Sequence, residues 1–189
     1  MKRIIGLAVV IVAALSITAF ATAAGGKLKC FADSPATCTL NSATSATIDT
    51  THGGDAGVYL TNGKGTNGSP LANADFSFTY FCATTTDYST CTGGGAVRWS
   101  IPINTGGDTK DAKQVYAFLD AANCGNTGSV STNDANCPVF LNTGGSWANW
   151  DAFAAANPTY TIASALPFVI SDVQTATAAI VSNVISTKS

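Results

Sequence analysis

The stretch DFSFTYFC, residues 75–82, decides the fold class because polar and apolar residues alternate along it. Its apolar side chains fall on one face of an extended chain, at Phe76, Phe78, Tyr80 and Cys82. Ser77 and Thr79 fall on the opposite face. A period of two is typical of a half-buried strand. The stretch therefore predicts a β-strand that turns one face toward a core.

Two further stretches predict strands of different surroundings. AVRWSIPI, residues 96–103, places four apolar side chains on its inward face: Val97, Trp99, Ile101 and Ile103. Pro102 lacks a backbone N–H, so we expect this strand at a sheet edge, or Pro102 at a strand end. QVYAFLDA, residues 114–121, is apolar on both faces, with Tyr116 and Phe118 opposing the smaller residues. That pattern predicts a strand covered on both sides.

The remaining strand-like runs complete an all-β fold: DAGVYL, CPVFL, PFVIS and the C-terminal ATAAIVSNVIST. The C-terminal run also fits one face of a helix, but its Thr and β-branched residues favour a strand. The chain has no Glu, and its many Thr, Asn, Asp and Gly residues suit strands joined by polar turns. We predict an antiparallel β-sandwich, jelly-roll-like or Ig-like.

One short peripheral helix is predicted near residues 147–156, within WANWDAFAAAN. Ser146 is its expected N-cap, and Asn157 followed by a proline ends it. Trp147, Trp150 and Phe153 share one stripe of this helix. An aromatic platform for a sugar is one interpretation of the stripe. Docking onto the sandwich is the favoured one, because so short a helix needs such a face to persist in water.

The N-terminal residues 1–24 have the pattern of a signal peptide. Lys2 and Arg3 precede the apolar run Ile4–Phe20, and small residues follow it. A retained membrane anchor is the alternative, because the run is just long enough to span a bilayer. We expect cleavage, which leaves residues 25–189 as a single domain that is secreted, extracellular or held at the cell surface, with no further membrane span.

The charge of the chain limits its partners. Its formal net charge is −2 at pH 7, and the signal segment carries two of the nine Lys and Arg residues but none of the eleven acidic ones. The mature segment is therefore more negative, at about −4. We expect no nucleic-acid binding, because no basic patch is available to follow a phosphate backbone.

Six cysteines lie at the ends of predicted strands or near them, and each consecutive pair encloses a polar loop. Antiparallel neighbours can bring such cysteines within bonding range. Six cysteines allow fifteen pairings. From the spacing we predict three local disulfide bonds: Cys30 with Cys38, Cys82 with Cys91, and Cys124 with Cys137.

Metal binding has only weak support in the sequence. No close cysteine pair of the zinc-binding type is present. The candidates for a ligand or calcium loop are Asn104, Asp108, Asp111, Asn133 and Asp134, with Asp49 and Asp55 as further oxygen donors. None of them has the regular spacing of a calcium-binding loop. The favoured interpretation is that they are solvated turn residues and that the protein has no cofactor.

Catalysis has no motif to support it. The only histidine is His52, so a Ser-His-Asp triad would need it, oriented by Asp49 or Asp55. The nucleophile elbow G-x-S-x-G is absent, and H-E-x-x-H is excluded because the chain lacks Glu. Paired Asp carboxylates remain an alternative for glycoside hydrolysis.

Three functional classes follow. The favoured hypothesis is a secreted, non-catalytic module that binds a glycan or a surface partner through polar loops at one end of the sandwich. The second is a structural or filament-forming subunit of the cell surface that pairs through an exposed strand. The third is a secreted hydrolase that uses Asp residues or His52.

Overall fold

The structure is a computed structural model, and it describes residues 27–61, 66–82, 97–106, 114–172 and 178–188. These residues form thirteen strands and one α-helix. The strands are β1 Leu28–Ala32, β2 Thr37–Ser42, β3 Ser45–Asp49, β4 Ala56–Leu60, β5 Ala74–Cys82, β6 Arg98–Asn104, β7 Val115–Asp120, β8 Ser129–Ser131, β9 Val139–Leu141, β10 Ser146–Trp147, β11 Thr161–Ile162, β12 Phe168–Ser171 and β13 Ala178–Lys188. The helix α1 spans Trp150–Ala156, and a 3₁₀ helix spans Leu71–Asn73. The expected signal segment lies outside the described residues.

Two antiparallel sheets pack against each other, which confirms the predicted all-β sandwich. The larger sheet has the order β1-β4-β12-β6-β7-β9-β10, and β11 pairs with β6 beside β12. The smaller sheet has the order β2-β3-β13-β5-β8. β5 alternates as its sequence predicts, since its four apolar side chains are buried between the sheets. Trp99 of β6 is fully buried against the rings of Phe76 and Phe78.

The prediction that Pro102 marks a sheet edge or a strand end is wrong, because β6 lies in the middle of the larger sheet. On one side β6 pairs with β7 along its length. On the other side it pairs with β12 up to Ser100 and with β11 from Ile103 onward. The Pro102 carbonyl accepts a hydrogen bond from Ala163 on that second side. Pro102 thus lies opposite Ala163, just past the end of β11, and its missing N–H removes a single bond at the end of that pairing.

The C-terminal run forms a strand, as its β-branched residues favour. β13 pairs with both β3 and β5 and lies at the centre of the smaller sheet. Its register against β5 shifts between Ser182 and Ile185, where Asn183 has a φ of 52°. Such a bulge lets one residue leave the ladder while the strand continues.

The helix begins later than predicted. Its N-cap is Asn149, whose side-chain oxygen accepts a hydrogen bond from the Ala152 N–H at 2.9 Å. Ser146, the predicted cap, lies in β10, where the hairpin with β9 holds it. The aromatic stripe is docked as favoured, because Trp150 and Phe153 are buried and the Trp150 indole donates to the Leu71 carbonyl.

Two of the three predicted disulfides are confirmed, Cys30–Cys38 and Cys124–Cys137. The predicted bond of Cys82 with Cys91 lies outside the described residues. Cys30–Cys38 joins β1 of the larger sheet to β2 of the smaller one, so it ties the two layers rather than neighbours in one sheet. Among the described residues, no helix is both long and apolar enough to cross a membrane.

Candidate functional site

The outer face of the larger sheet carries aromatic side chains where a solvent-exposed sheet face usually carries polar ones. We call this surface the aromatic face. It consists of six half-buried residues from five strands: Phe31, Tyr59, Tyr116, Phe118, Phe140 and Phe168. The sequence predicted that β7 would be covered on both sides, and its inner face is buried. Its outer residues Tyr116 and Phe118 are half-buried, so the outer face of β7 is covered in part, less completely than the inner one.

Strand register brings the six residues together. One row across the sheet runs from Tyr59 through Phe168 and Ser100 to Phe118 and Phe140. Four of the six rings contact one another in edge-to-face or tilted arrangements, those of Phe31, Tyr59, Tyr116 and Phe168. Phe168 is central, because its ring centroid lies 5.5 Å from that of Tyr59, 5.6 Å from Tyr116 and 5.7 Å from Phe31.

The angles between the planes of the aromatic rings determine the shape of the surface that a ligand would meet. The Phe168 ring meets those of its three neighbours at 62°, 70° and 87°. Such edge-to-face packing is favourable for aromatic pairs. The surface is therefore ridged, with ring faces and ring edges alternating, rather than one flat plane.

A small polar residue, Ser100, separates two of the aromatic residues in this row. Ser100 stands in register with Phe168 on one side and Phe118 on the other, and it is only 1% exposed. Its hydroxyl has no hydrogen-bond partner within the described structure. A buried hydroxyl without a hydrogen-bond partner costs stability, so the row of aromatic residues includes one unfavourably buried polar group.

A charged cluster borders the aromatic face at the end of the sheet where β6 begins and β7 ends. The Arg98 guanidinium lies 4.5 Å from the centroid of the Phe118 ring and forms a bidentate ion pair with Asp172. Asp120 faces Arg98 across the strands and is nearly buried. Burial raises the pKa of Asp120; the Ala122 N–H and Arg98 oppose the rise, and Asp172 adds to it. The cluster is thus internally paired rather than directed at solvent.

A cavity of about 340 Å³ lies at the end of the sandwich where β6 ends and β7 begins. We call it the amide cavity. Its described lining consists of Asn67, Gly68, Ile103, Asn104, Gln114, Ile162, Ala163 and Ser164, none of which is charged. Ile103 and Ile162 give it an apolar floor, and the amides of Asn104 and Gln114 form part of its wall. Because side chains alternate along a strand, these two amides share the outer face with Tyr116, two residues along β7.

The described candidates for a calcium or ligand loop lie in two separate parts of the fold. Asn104 lines the amide cavity, and its Oδ1 accepts a hydrogen bond from the Gly106 N–H at 3.0 Å. Asn133 and Asp134 form the turn after β8, where the Asp134 carboxylate accepts from the Asn136 N–H. Asp108 and Asp111 lie outside the described residues. Where the structure describes the chain, no three His, Cys, Asp or Glu side chains are grouped to hold a metal.

His52 is exposed in the turn after β3. The groups hydrogen-bonded around it are not arranged in the sequence of a catalytic triad. The Thr51 hydroxyl donates to Asp49 at 2.6 Å and lies 3.0 Å from the His52 Nδ1. In a triad the imidazole stands between the acid and the hydroxyl, so that it can pass a proton. Here the hydroxyl stands between the acid and the imidazole, and its bond to Asp49 is the chief cause of the lowered pKa of that carboxyl.

No protein-family model, curated protein or solved structure matches this chain. Sequence reasoning missed most of the aromatic face, because its residues are dispersed along the chain from Phe31 to Phe168 and meet only through strand register. The one local signal was β7, whose two apolar faces indicated something beyond an ordinary solvated surface.

Proposed function

We propose that this protein is a non-catalytic extracellular module that binds an uncharged glycan on its aromatic face. The observation that carries the proposal is the set of six half-buried aromatic residues on the outer face of the larger sheet. Contiguous apolar patches on protein surfaces mark sites of interaction. The confirmed disulfide bonds are consistent with an oxidising, extracellular setting.

A glycan fits this surface better than a purely apolar partner. Tyr59 and Tyr116 flank Phe168, and each adds a phenolic hydroxyl to an apolar ring. Burial raises the pKa of the Tyr116 hydroxyl, and the neighbouring Tyr59 adds to the rise. Tyrosine combines an apolar body with a hydrogen-bonding tip, which suits a ring that is apolar on its faces and hydroxylated at its rim.

The shape of the aromatic face narrows the kind of glycan. Flat, crystalline polysaccharide would need coplanar rings, whereas these rings meet at angles of 62° and more around Phe168. A ridged surface suits a single, soluble chain that can adapt to it. Among the described residues, the charged groups beside this face are Lys29 at one margin and Arg98 at the other, where Asp172 pairs with Arg98. This pairing favours an uncharged chain.

Affinity electrophoresis in soluble, neutral polysaccharides (xylan, glucomannan, β-glucan) tests the proposal. Tyr59→Ala and Phe168→Ala should each abolish the retardation that the wild type shows in at least one of them, since each removes a ring from the centre of the patch. Phe81→Ala is the matched control, because Phe81 is an exposed aromatic residue on the outer face of the other sheet. No retardation of the wild type, or equal loss in Phe81→Ala, would refute the proposal.

Self-assembly is a second candidate function, favoured by the edge strand β2. It ends the smaller sheet, and five of its six residues are exposed. The strand has neither a charged residue nor a proline, the two devices that commonly protect an edge from pairing. Leu40, which is 47% exposed, adds an apolar contact for an incoming strand.

Sedimentation velocity separates the two candidates. If β2 pairs with a second copy, the wild type should associate at high concentration, and Leu40→Lys should shift it to monomer because a charge at an edge opposes pairing. Ile180→Lys, a charge added at an exposed residue of a central strand, is the control. A wild type that stays monomeric at high concentration excludes this candidate.

A further inference from the structure

We propose that the amide cavity is a subsite for one hydroxyl-bearing ring, such as a single sugar unit of a neutral glycan. This inference deepens the proposed function and rests on it for the identity of the natural ligand. It also has a physical basis of its own. In the described structure, the side-chain amides of Asn104 and Gln114 each keep one hydrogen-bonding group that a ligand can use.

Gln114 presents an acceptor to the cavity. Its Nε2 group donates to two backbone carbonyls, that of Ile103 at 3.3 Å and that of Val115 at 3.0 Å. A primary amide has two N–H donors, so both are used. What the Gln114 side chain retains for a ligand is its carbonyl oxygen, held in a fixed direction by those two bonds.

Asn104 presents the opposite group. Its Oδ1 accepts the Gly106 N–H at 3.0 Å, which fixes the side chain and turns its Nδ2 into the group available to a ligand. The cavity wall therefore offers one fixed acceptor and one fixed donor. A hydroxyl can donate and accept at once, so a single hydroxyl between these two amides would satisfy both.

The remainder of the lining supports the same ligand class. Ile103 and Ile162 are buried and give an apolar floor. The polar side chains of the described lining are uncharged, mainly amides, and such groups suit the hydroxyls of a neutral ligand. A volume of about 340 Å³ is at the small end of the range for ligand pockets, as expected for one ring.

The position of the cavity connects it to the aromatic face. Asn104 ends β6 and Gln114 immediately precedes β7, and each lies two residues along the chain from Pro102 or Tyr116, on the same outer face. The ring of Tyr116 in turn contacts Phe168. A glycan chain on the aromatic face could thus place one of its units in the amide cavity.

The test uses monosaccharides, so that it does not depend on the aromatic face. Methyl glucoside, galactoside, mannoside and xyloside are titrated into isotope-labelled wild-type protein, and the side-chain amide resonances are followed by NMR. We expect saturable shifts of the Asn104 and Gln114 amide signals with at least one glycoside, at a dissociation constant in the millimolar range. No saturable shift with any of the four would overturn the inference.

Asn104→Asp is the decisive variant, because it keeps the oxygen that binds Gly106 and replaces the donor with a charged acceptor. Binding of the glycoside should weaken about tenfold or more. Asn133→Asp makes the same charge change in the turn after β8, outside the cavity lining, and should bind like the wild type. Equal affinity of Asn104→Asp and wild type would overturn the inference.

The two proposals can fail separately. Glycoside shifts at Asn104 without any polysaccharide retardation would leave the amide cavity as a sugar site and refute the aromatic face. Retardation that depends on Tyr59 and Phe168, with no glycoside effect at Asn104, would do the reverse.

Discussion

The phenyl ring of Phe31 occupies the space that a side chain at Gly57 would need. These residues face each other across β1 and β4, and a Cβ at Gly57 would overlap both that ring and the Val169 carbonyl oxygen on β12. The absence of a side chain at Gly57 is therefore what lets Phe31 lie down on the sheet and join Tyr59 and Phe168.

Gly57→Ala should lower the free energy of unfolding by about 1–3 kcal/mol, the usual cost of overpacking. Denaturant unfolding measures it. A double-mutant cycle with Phe31→Ala shows how much of the lost free energy of unfolding comes from overlap with the Phe31 ring, since the overlap with the Val169 carbonyl remains in the double variant. A Gly57→Ala variant as stable as the wild type would contradict the close approach.

Asp120→Asn should make the protein more stable at neutral pH. Burial raises the pKa of this carboxyl in the folded state. Its contribution to stability is thus fully present below the unfolded pKa and is lost as the pH rises through the folded pKa. Asparagine keeps an oxygen for the Ala122 N–H and carries no charge, so it avoids that loss.

Thermal unfolding across the acidic to neutral range measures the difference. The melting temperatures of Asp120→Asn and wild type should converge toward acid pH and separate toward neutral pH. Asp49→Asn should change the melting temperature at neutral pH in the opposite direction, toward lower stability, because the Thr51 hydroxyl lowers the pKa of Asp49. The stability from Asp49 is present above its unfolded pKa and is lost as the pH falls through the folded pKa. A parallel displacement of both variants at every pH would argue against these environments.

The elements that could be predicted from sequence are those whose structure depends mainly on residues close to one another along the chain. The alternation of β5 predicted its buried face, and the spacing of Cys124 and Cys137 predicted their bond. Strand order could not be predicted, because pairing between segments as distant as β4 and β12 depends on the packing of the whole sheet. Pro102 shows the consequence: a proline is tolerated in a central strand at the position where one partner strand ends.

The candidate site likewise contains one residue that the sequence indicated and one that it did not. Asn104 was singled out from its sequence as an oxygen donor of a turn, and the structure places it in the wall of the amide cavity. Gln114 gave no such signal, because its donors are fixed by backbone carbonyls that only the folded pairing of β6 and β7 supplies. Its role in the proposal could not be deduced from neighbouring residues alone.

Removing the Cys124–Cys137 bond should cost more than removing Cys30–Cys38. The enclosed loops differ in length, with sequence separations of 13 and 8. Chain-entropy estimates give about 3 kcal/mol for the longer loop and about 2.5 kcal/mol for the shorter one. Cys124 and Cys137 are also buried, so their replacement leaves a cavity. Denaturant unfolding of the two double Cys→Ala variants under oxidising conditions gives the order, and a reversed order would contradict this account.

Asn149→Ala should destabilise the protein by about 1 kcal/mol, whereas Ser146→Ala should stay within about 0.5 kcal/mol of the wild type. The Asn149 Oδ1 caps the helix through the Ala152 N–H, and its Nδ2 donates to the Ala135 carbonyl at 3.2 Å. Ser146 is exposed in β10. Asn149→Asp keeps the capping oxygen but loses that donor, so denaturant unfolding should place it between the alanine variant and the wild type. Equal losses at Ser146 and Asn149 would mean that the helix begins where its sequence predicts, one turn earlier.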